Sequence, residues 1–280
     1  MKTLLTIAIS LAFATVAVRA DMANYQSTVT GQSPTYDFHF DNSLVDSVGG
    51  TATFTASGAG FGTDYSGNPN DAVSFSALAD NLTLASPLII SGAGTTTAIG
   101  SMSMLFYMPS TVPSTAYLFS DHDTSPYFAL AMSGGVFGLK IVNLTVTLPT
   151  PTANTWYYFG LTYNLNGTAT GVNGANWYLG AVGGTLSSGF IQKGGSGNIN
   201  TTTTMGDGGT FDLGNRRAFN NSLVGGEIDE LATWNSQLSS GQITSQFNAL
   251  TVSVPEPSAC ILFGAGGLLV LWKRRAFRRD

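Results

Sequence analysis

Short apolar stretches recur along the chain roughly every 10 to 25 residues, separated by glycine- and asparagine-based turns. They include Tyr36 to Phe40, Ser101 to Tyr107, Gly135 to Val142, Trp156 to Tyr163 and Glu227 to Trp234, with turns at Gly49-Gly50, Gly134-Gly135, Asn166-Gly167 and Gly183-Gly184. Such dipeptides accept the positive φ of tight hairpins, so the spacing predicts antiparallel strands. A helical body would be poorly served by 34 glycines in 280 residues, since each one in a helix interior costs about 1 kcal/mol against alanine. The chain is expected to be all-β, a two-sheet antiparallel jelly-roll sandwich.

Trp156 to Tyr163 carries large side chains at both odd and even positions, the pattern of a central strand packed on two sides. Asp37, His39 and Asp41 alternate with Tyr36, Phe38 and Phe40, which predicts a strand with one wet face. One helix is expected, after Ser239, where Ser239 and Gln242 form a capping-box pattern and Ile243, Phe247 and Leu250 share a face.

Both ends read as addresses. Met1-Lys2, the apolar run Leu4 to Val18 and the small residues of Val18-Arg19-Ala20 predict a secretory signal peptide over residues 1–20. At the other end Val254-Pro255-Glu256-Pro257 precedes an apolar run, 259–272, and then Lys273, Arg274, Arg275, Arg278 and Arg279. At 1.5 Å per residue this run spans about 21 Å, enough for a single hydrophobic transmembrane helix only if its flanks snorkel. The basic flank would hold that end in the cytoplasm and leave residues 21–253 outside. The order of these three parts resembles the PEP-CTERM sorting signal of exported bacterial proteins. The resemblance implies recognition by an exosortase, a membrane contact through the C-terminal helix, and residence at the cell envelope, the cell surface or the extracellular matrix.

Between the addresses, residues 21–253 hold fourteen acidic residues against Lys140, Lys193, Arg216 and Arg217, a net charge of −10. Such a body repels nucleic acid, so no nucleic-acid partner is expected. Cys260 is the single cysteine, so no intrachain disulfide staples it.

The segments Tyr36 to Gly50, Asn154 to Asn164 and Phe219 to Ser239 (with Glu227-Ile228-Asp229-Glu230 within it) are similar, in this order, to the opening, middle and end of the laminin G-like, concanavalin A-like jelly roll. The stretches around 97–108 and 174–192 depart from the family pattern. The resemblance implies one domain over 21–253 and a structural Ca²⁺ site where the first and last strands meet. Asp41, Asp46 and Asp229 are the oxygen ligands on offer there; the same residue type before Gly and Ser equally makes turn caps. Carbohydrate binding is also implied, and Tyr65, Tyr127 and Trp177 are the aromatic candidates for stacking on a sugar.

Catalysis is not expected. Retaining glycoside hydrolysis needs two carboxylates about 5 to 5.5 Å apart. Glu227 and Glu230 stand three apart, which on a regular strand turns them to opposite faces. His39 and His122 are the only histidines and neither accompanies a nucleophile-elbow motif; zinc-ligand spacing and a P-loop are missing too. The reading is a non-catalytic, exported, glycan-binding or adhesive surface or matrix protein. The alternatives are a secreted glycoside hydrolase of the same fold and a passive matrix component without a specific ligand.

Overall fold

A computed structural model describes residues 20–85, 88, 99–121, 128–141, 144–165, 173–192, 210–216 and 220–250. Strands are numbered in chain order. Sheet I runs β13 (Ser187–Gln192), β12 (Gly174–Ala181), β11 (Thr155–Asn164), β6 (Ile99–Met108), β15 (Glu227–Trp234), β4 (Pro69–Ser74) and β3 (Gly60–Thr63), and β1 (Tyr36–Phe38) also pairs with β15. Sheet II runs β10 (Leu144–Thr147), β9 (Val136–Ile141), β8 (Phe128–Ser133), β7 (Ala116–Ser120), β14 (Phe211–Leu213), β5 (Asn81–Leu84) and β2 (Thr55–Ser57). Every pairing between these strands is antiparallel.

The two sheets close on an aromatic-rich core that includes Phe38, Phe54, Phe106, Phe119, Phe137, Phe159 and Phe211. Phe38 meets Phe54 edge-on with ring centroids 4.8 Å apart, and Phe119 stacks on Phe211 at 5.8 Å. Burying each such ring contributes on the order of 2–3 kcal/mol, which lets the body do without a disulfide.

β11 is packed on two sides, as its residue pattern requires: Tyr157, Phe159 and Leu161 enter the inter-sheet core, and Tyr158 enters a second core on the outer face of sheet I. Two helices build that second core. The expected one, α2 (Ser240–Ala249), starts with the capping box of Ser239 and Gln242. The other, α1 (Ala20–Thr30), was not foreseen; Met22, Tyr25 and Val29 are spaced i, i+3, i+7 and pack with Tyr158, Trp234, Ile243 and Phe247. This roof corrects the expectation of a wet strand face. Asp37 and His39 do point away from Phe38 and Phe40, but Asp37 is 1% exposed.

Among the described residues no helix is long and apolar enough to cross a membrane. The predicted leader, the Pro255-Glu256-Pro257 motif, the apolar run 259–272 and the basic cluster lie outside the described residues.

Candidate functional site

The last strand of sheet I decides what its outer face can do. In β15 the register against β6 slips between Asp229 and Ala232, and Glu230 sits at φ 52°. This is a β-bulge, in which one extra residue on the strand resets the side-chain alternation. Ile228 and Leu231 therefore both enter the inter-sheet core, while Asp229, opposite Leu105, turns outward. Glu230 also turns outward, onto Gln26 of α1 and His39. Glu227 lies opposite Tyr107 on the same side and accepts from the Thr63 amide at 3.0 Å. The expectation that Glu227 and Glu230 face opposite ways is thus overturned: the offset of three becomes even in effect once a bulge intervenes.

The outward acids are closed in. His39 Nδ1 lies 2.8 Å from Glu230 Oε2, its Nε2 lies 3.5 Å from Asp37 Oδ2, and Gln26 Nε2 donates to Glu230 Oε1 at 2.6 Å. Burial alone would lower the His39 pKa, but the hydrogen bond and charge of Glu230, joined by Asp37 and Asp41, carry it up to about 9. Burial pushes Asp37 up to about 6 and Glu230 up to about 7, with His39 pulling each back down. Asp229 is driven well above the usual carboxylate range by burial and then by Glu230 and Asp64. Asp37, His39 and Glu230 form the only group of three among the described residues whose ligating atoms all fall within 4.8 Å. Both imidazole nitrogens face carboxylates, so the ring as imidazolium occupies the place a cation would take.

Asp41, Asp46 and Asp229 form no such group. Asp46 is a turn cap: its Oδ1 accepts from the Asp37 and Val48 amides at 2.9 and 3.1 Å, and its Oδ2 from Gly49 at 3.1 Å. Asp41 is exposed, and its nearest charged influences are Asp71, His39 and Asp64. Of the aromatic candidates, Tyr65 is half-buried against the helix-side core, and Trp177 lies half-buried beside the inter-sheet core and over Gly189. Tyr127 and His122 lie outside the described residues.

Among the described residues, the open surface is on the other sheet. Phe128, Leu130 and Met132 of β8 and Phe137, Leu139 and Ile141 of β9 point into the core, which leaves Ala129, Ala131 and Ser133 and Val136, Gly138 and Lys140 facing out. Cross-strand pairing sets Ala131 beside Gly138 and Ala129 beside Lys140. Alanine and glycine give this face a low floor, and a groove of about 340 Å³ runs over it. Thr145 on β10 borders one side, Tyr117 on β7 and Arg216 the other. Four adjacent strands make it about 14 Å across. The Arg216 guanidinium lies 5.7 Å from the Tyr117 ring centre and donates to its hydroxyl at 3.2 Å. No site was read here from sequence. The signal that could have found it is the pair of out-facing rows, small at Ala129, Ala131 and Gly138 and ending at Lys140.

The described residues define a β-sandwich domain, with helices over the outer face of one sheet and a groove on the outer face of the other. No family model and no curated protein matches the sequence. Among solved structures the chain is similar to the receptor binding domain of botulinum neurotoxin D, with a TM-score of 0.55, 14% identity, and coverage of 77% of this chain and 52% of that one. It is similar to the botulinum neurotoxin serotype D ligand binding domain in complex with N-acetylneuraminic acid, with a TM-score of 0.54, 14% identity, and coverage of 79% and 52%. It is also similar to domain 4 of AbnA, an extracellular arabinanase from Geobacillus stearothermophilus, in complex with arabinotriose, with a TM-score of 0.51, 16% identity, and coverage of 76% and 97%. The chain spans about half the length of the toxin domains. At these identities the likeness establishes the β-sandwich fold.

Proposed function

We propose that this is a non-catalytic, exported bacterial protein of laminin G-like jelly-roll type that binds glycans or adheres through the outer face of sheet II. The observation that carries this reading is the division between the two sheets. Helices cover the outer face of sheet I, and the outer face of sheet II presents a groove floored by Ala129, Ala131 and Gly138. Long, shallow, small-residue floors suit an extended polymer, and a few polar groups at the rim fix its register. Two of the similar structures hold a sugar, N-acetylneuraminic acid in one and arabinotriose in the other. The leader and the PEP-CTERM-like tail supply the rest of the reading, namely export, sorting by an exosortase, and residence at the envelope or matrix beside extracellular polysaccharide. A glycan panel probed with the purified protein tests it: retention on one class of polysaccharide is expected, and no retention on any leaves the passive-component reading.

A second reading, a glycoside hydrolase, is favoured by Glu227, Asp229 and Glu230 sharing one face. Against it, Glu230 is 1% exposed beneath Gln26 and Asp229 is equally buried, so a sugar chain has no path to either. Release of reducing sugar by the protein, abolished in Glu230→Gln, is the result that establishes the second reading.

A further inference from the structure

We infer that the sheet II groove takes an anionic polysaccharide, one bearing carboxylate or sulfate groups, held by Lys140 and Arg216. This inference rests on the glycan-binding reading and names its ligand class. Lys140 and Arg216 are the only lysine and arginine among the described residues 20–250, and both line this one groove. They are close enough that the charge of Arg216, after burial, helps to lower the Lys140 pKa, with the Asp121 carboxylate pulling it part of the way back up. A lysine whose charged form is disfavoured by burial and by a neighbouring cation gains from an anion placed beside it. No carboxylate lies within ion-pair distance of the Lys140 ammonium among the described residues.

Most of the described acids are deployed elsewhere. Asp37, Asp41, Asp64, Asp71, Glu227, Asp229 and Glu230 influence one another around the helix-covered side of sheet I. The acids nearest the groove are committed in part: Asp121 Oδ1 accepts from the Phe128 amide at 2.9 Å, and Asp212 Oδ1 from the Thr83 hydroxyl at 2.9 Å. An acidic polymer is repelled by the rest of the body, so its attraction is confined to this trough, which gives selectivity as well as affinity. The Arg216 guanidinium lies over the Tyr117 ring and donates to its hydroxyl, and a guanidinium can bind a carboxylate or a sulfate through charge-assisted hydrogen bonds. The methyl and hydrogen side chains of Ala131 and Gly138 let a sugar ring lie against the sheet between the two cations.

The test immobilises polygalacturonate, its methyl ester, dextran sulfate and neutral dextran, and measures binding of the purified full-length protein by interferometry. Binding to polygalacturonate or to dextran sulfate, and not to the methyl ester or dextran, is expected; which of the two is bound separates carboxylate from sulfate recognition. Lys140→Gln and Arg216→Gln should each weaken it by about fivefold or more, since each removes one charge-assisted contact, and Lys140→Arg should retain it. Ala131→Phe, which fills the trough and leaves both charges, should abolish it. Melting curves check that each variant is folded. Equal binding to the methyl ester or to dextran, or undiminished binding by folded Lys140→Gln and Arg216→Gln, overturns the anionic inference and leaves glycan binding standing. Binding to none of the four polymers overturns this inference; failure across a wider neutral and acidic panel overturns the glycan reading as well.

Discussion

At the scale of single residues, His39 governs how the protein answers to pH. Its pKa is raised from 6.5 to about 9, that of Glu230 from 4.5 to about 7, and that of Asp37 from 3.8 to about 6. In all three the folded state binds the proton more tightly than the unfolded chain does. The stability these groups supply is therefore fully present below their unfolded values and is lost as pH rises through the folded ones. Thermal melts should show a falling melting temperature from about pH 5 to pH 9; a flat or rising profile over that window contradicts the triad as described. Replacing His39 by alanine leaves two buried carboxylates without their cation, and should cost about 3 kcal/mol in urea unfolding near neutral pH. Asp46 makes a different prediction. Asp46→Ala deprives three backbone amides of their acceptor, and should destabilise by about 2–3 kcal/mol. Because the cap is made to backbone amides, that loss is expected to be the same in EDTA and in millimolar calcium; a melting temperature of the parent protein that rises with calcium would show otherwise.

At the scale of elements, the helices offer the cleanest measurements. Ser239→Ala removes one half of a reciprocal cap and should cost about 1 kcal/mol. Tyr25→Ala on α1 empties a fully buried site that touches Tyr158 edge-on at 6.4 Å, and should cost about 3–5 kcal/mol. If Tyr25→Ala is neutral in chemical denaturation, α1 does not roof sheet I in solution. These same elements show how far sequence reasoning reaches. The strands of the body, the doubly packed β11 and the cap at Ser239 were legible because alternation and capping are local patterns. The site was not, for three physical reasons. A helix with only three apolar anchors, Met22, Tyr25 and Val29, hides inside a polar stretch next to the predicted leader. A bulge leaves no residue signature when a glutamate rather than a glycine adopts positive φ, so the parity of Glu227 and Glu230 was misread. A groove is defined by what is missing, here the side chains of Ala131 and Gly138, and becomes visible only once pairing sets them side by side. Tyr65 and Trp177, conspicuous in the sequence, are half-buried against the two cores.

At the scale of the whole molecule, the two helices run antiparallel. Asn24 near the start of α1 donates to the Ala249 carbonyl at 3.3 Å, and Gln32 just past its end donates to the Gln242 carbonyl at 3.2 Å. Ala20 and Leu250 therefore sit at the same end of the helix pair, on the side of sheet I. If the leader and tail act as read, mass spectrometry of protein from native cells should find residues 1–20 missing. A cysteine placed at Val136, 48% exposed on sheet II, should react with a membrane-impermeant maleimide in intact cells, and failure to label an accessible, folded variant would argue for an interior location. Whatever chain precedes Ala20 or follows Leu250 leaves from the face opposite the groove. If the ends tether the protein and the groove captures a glycan as proposed, the two tasks fall at opposite poles of one sandwich, so copies held side by side by their ends would display parallel troughs outward, and a long polymer could lie across many of them at once. Grip on such a polymer would then grow with the density of the array far faster than with the affinity of any one trough.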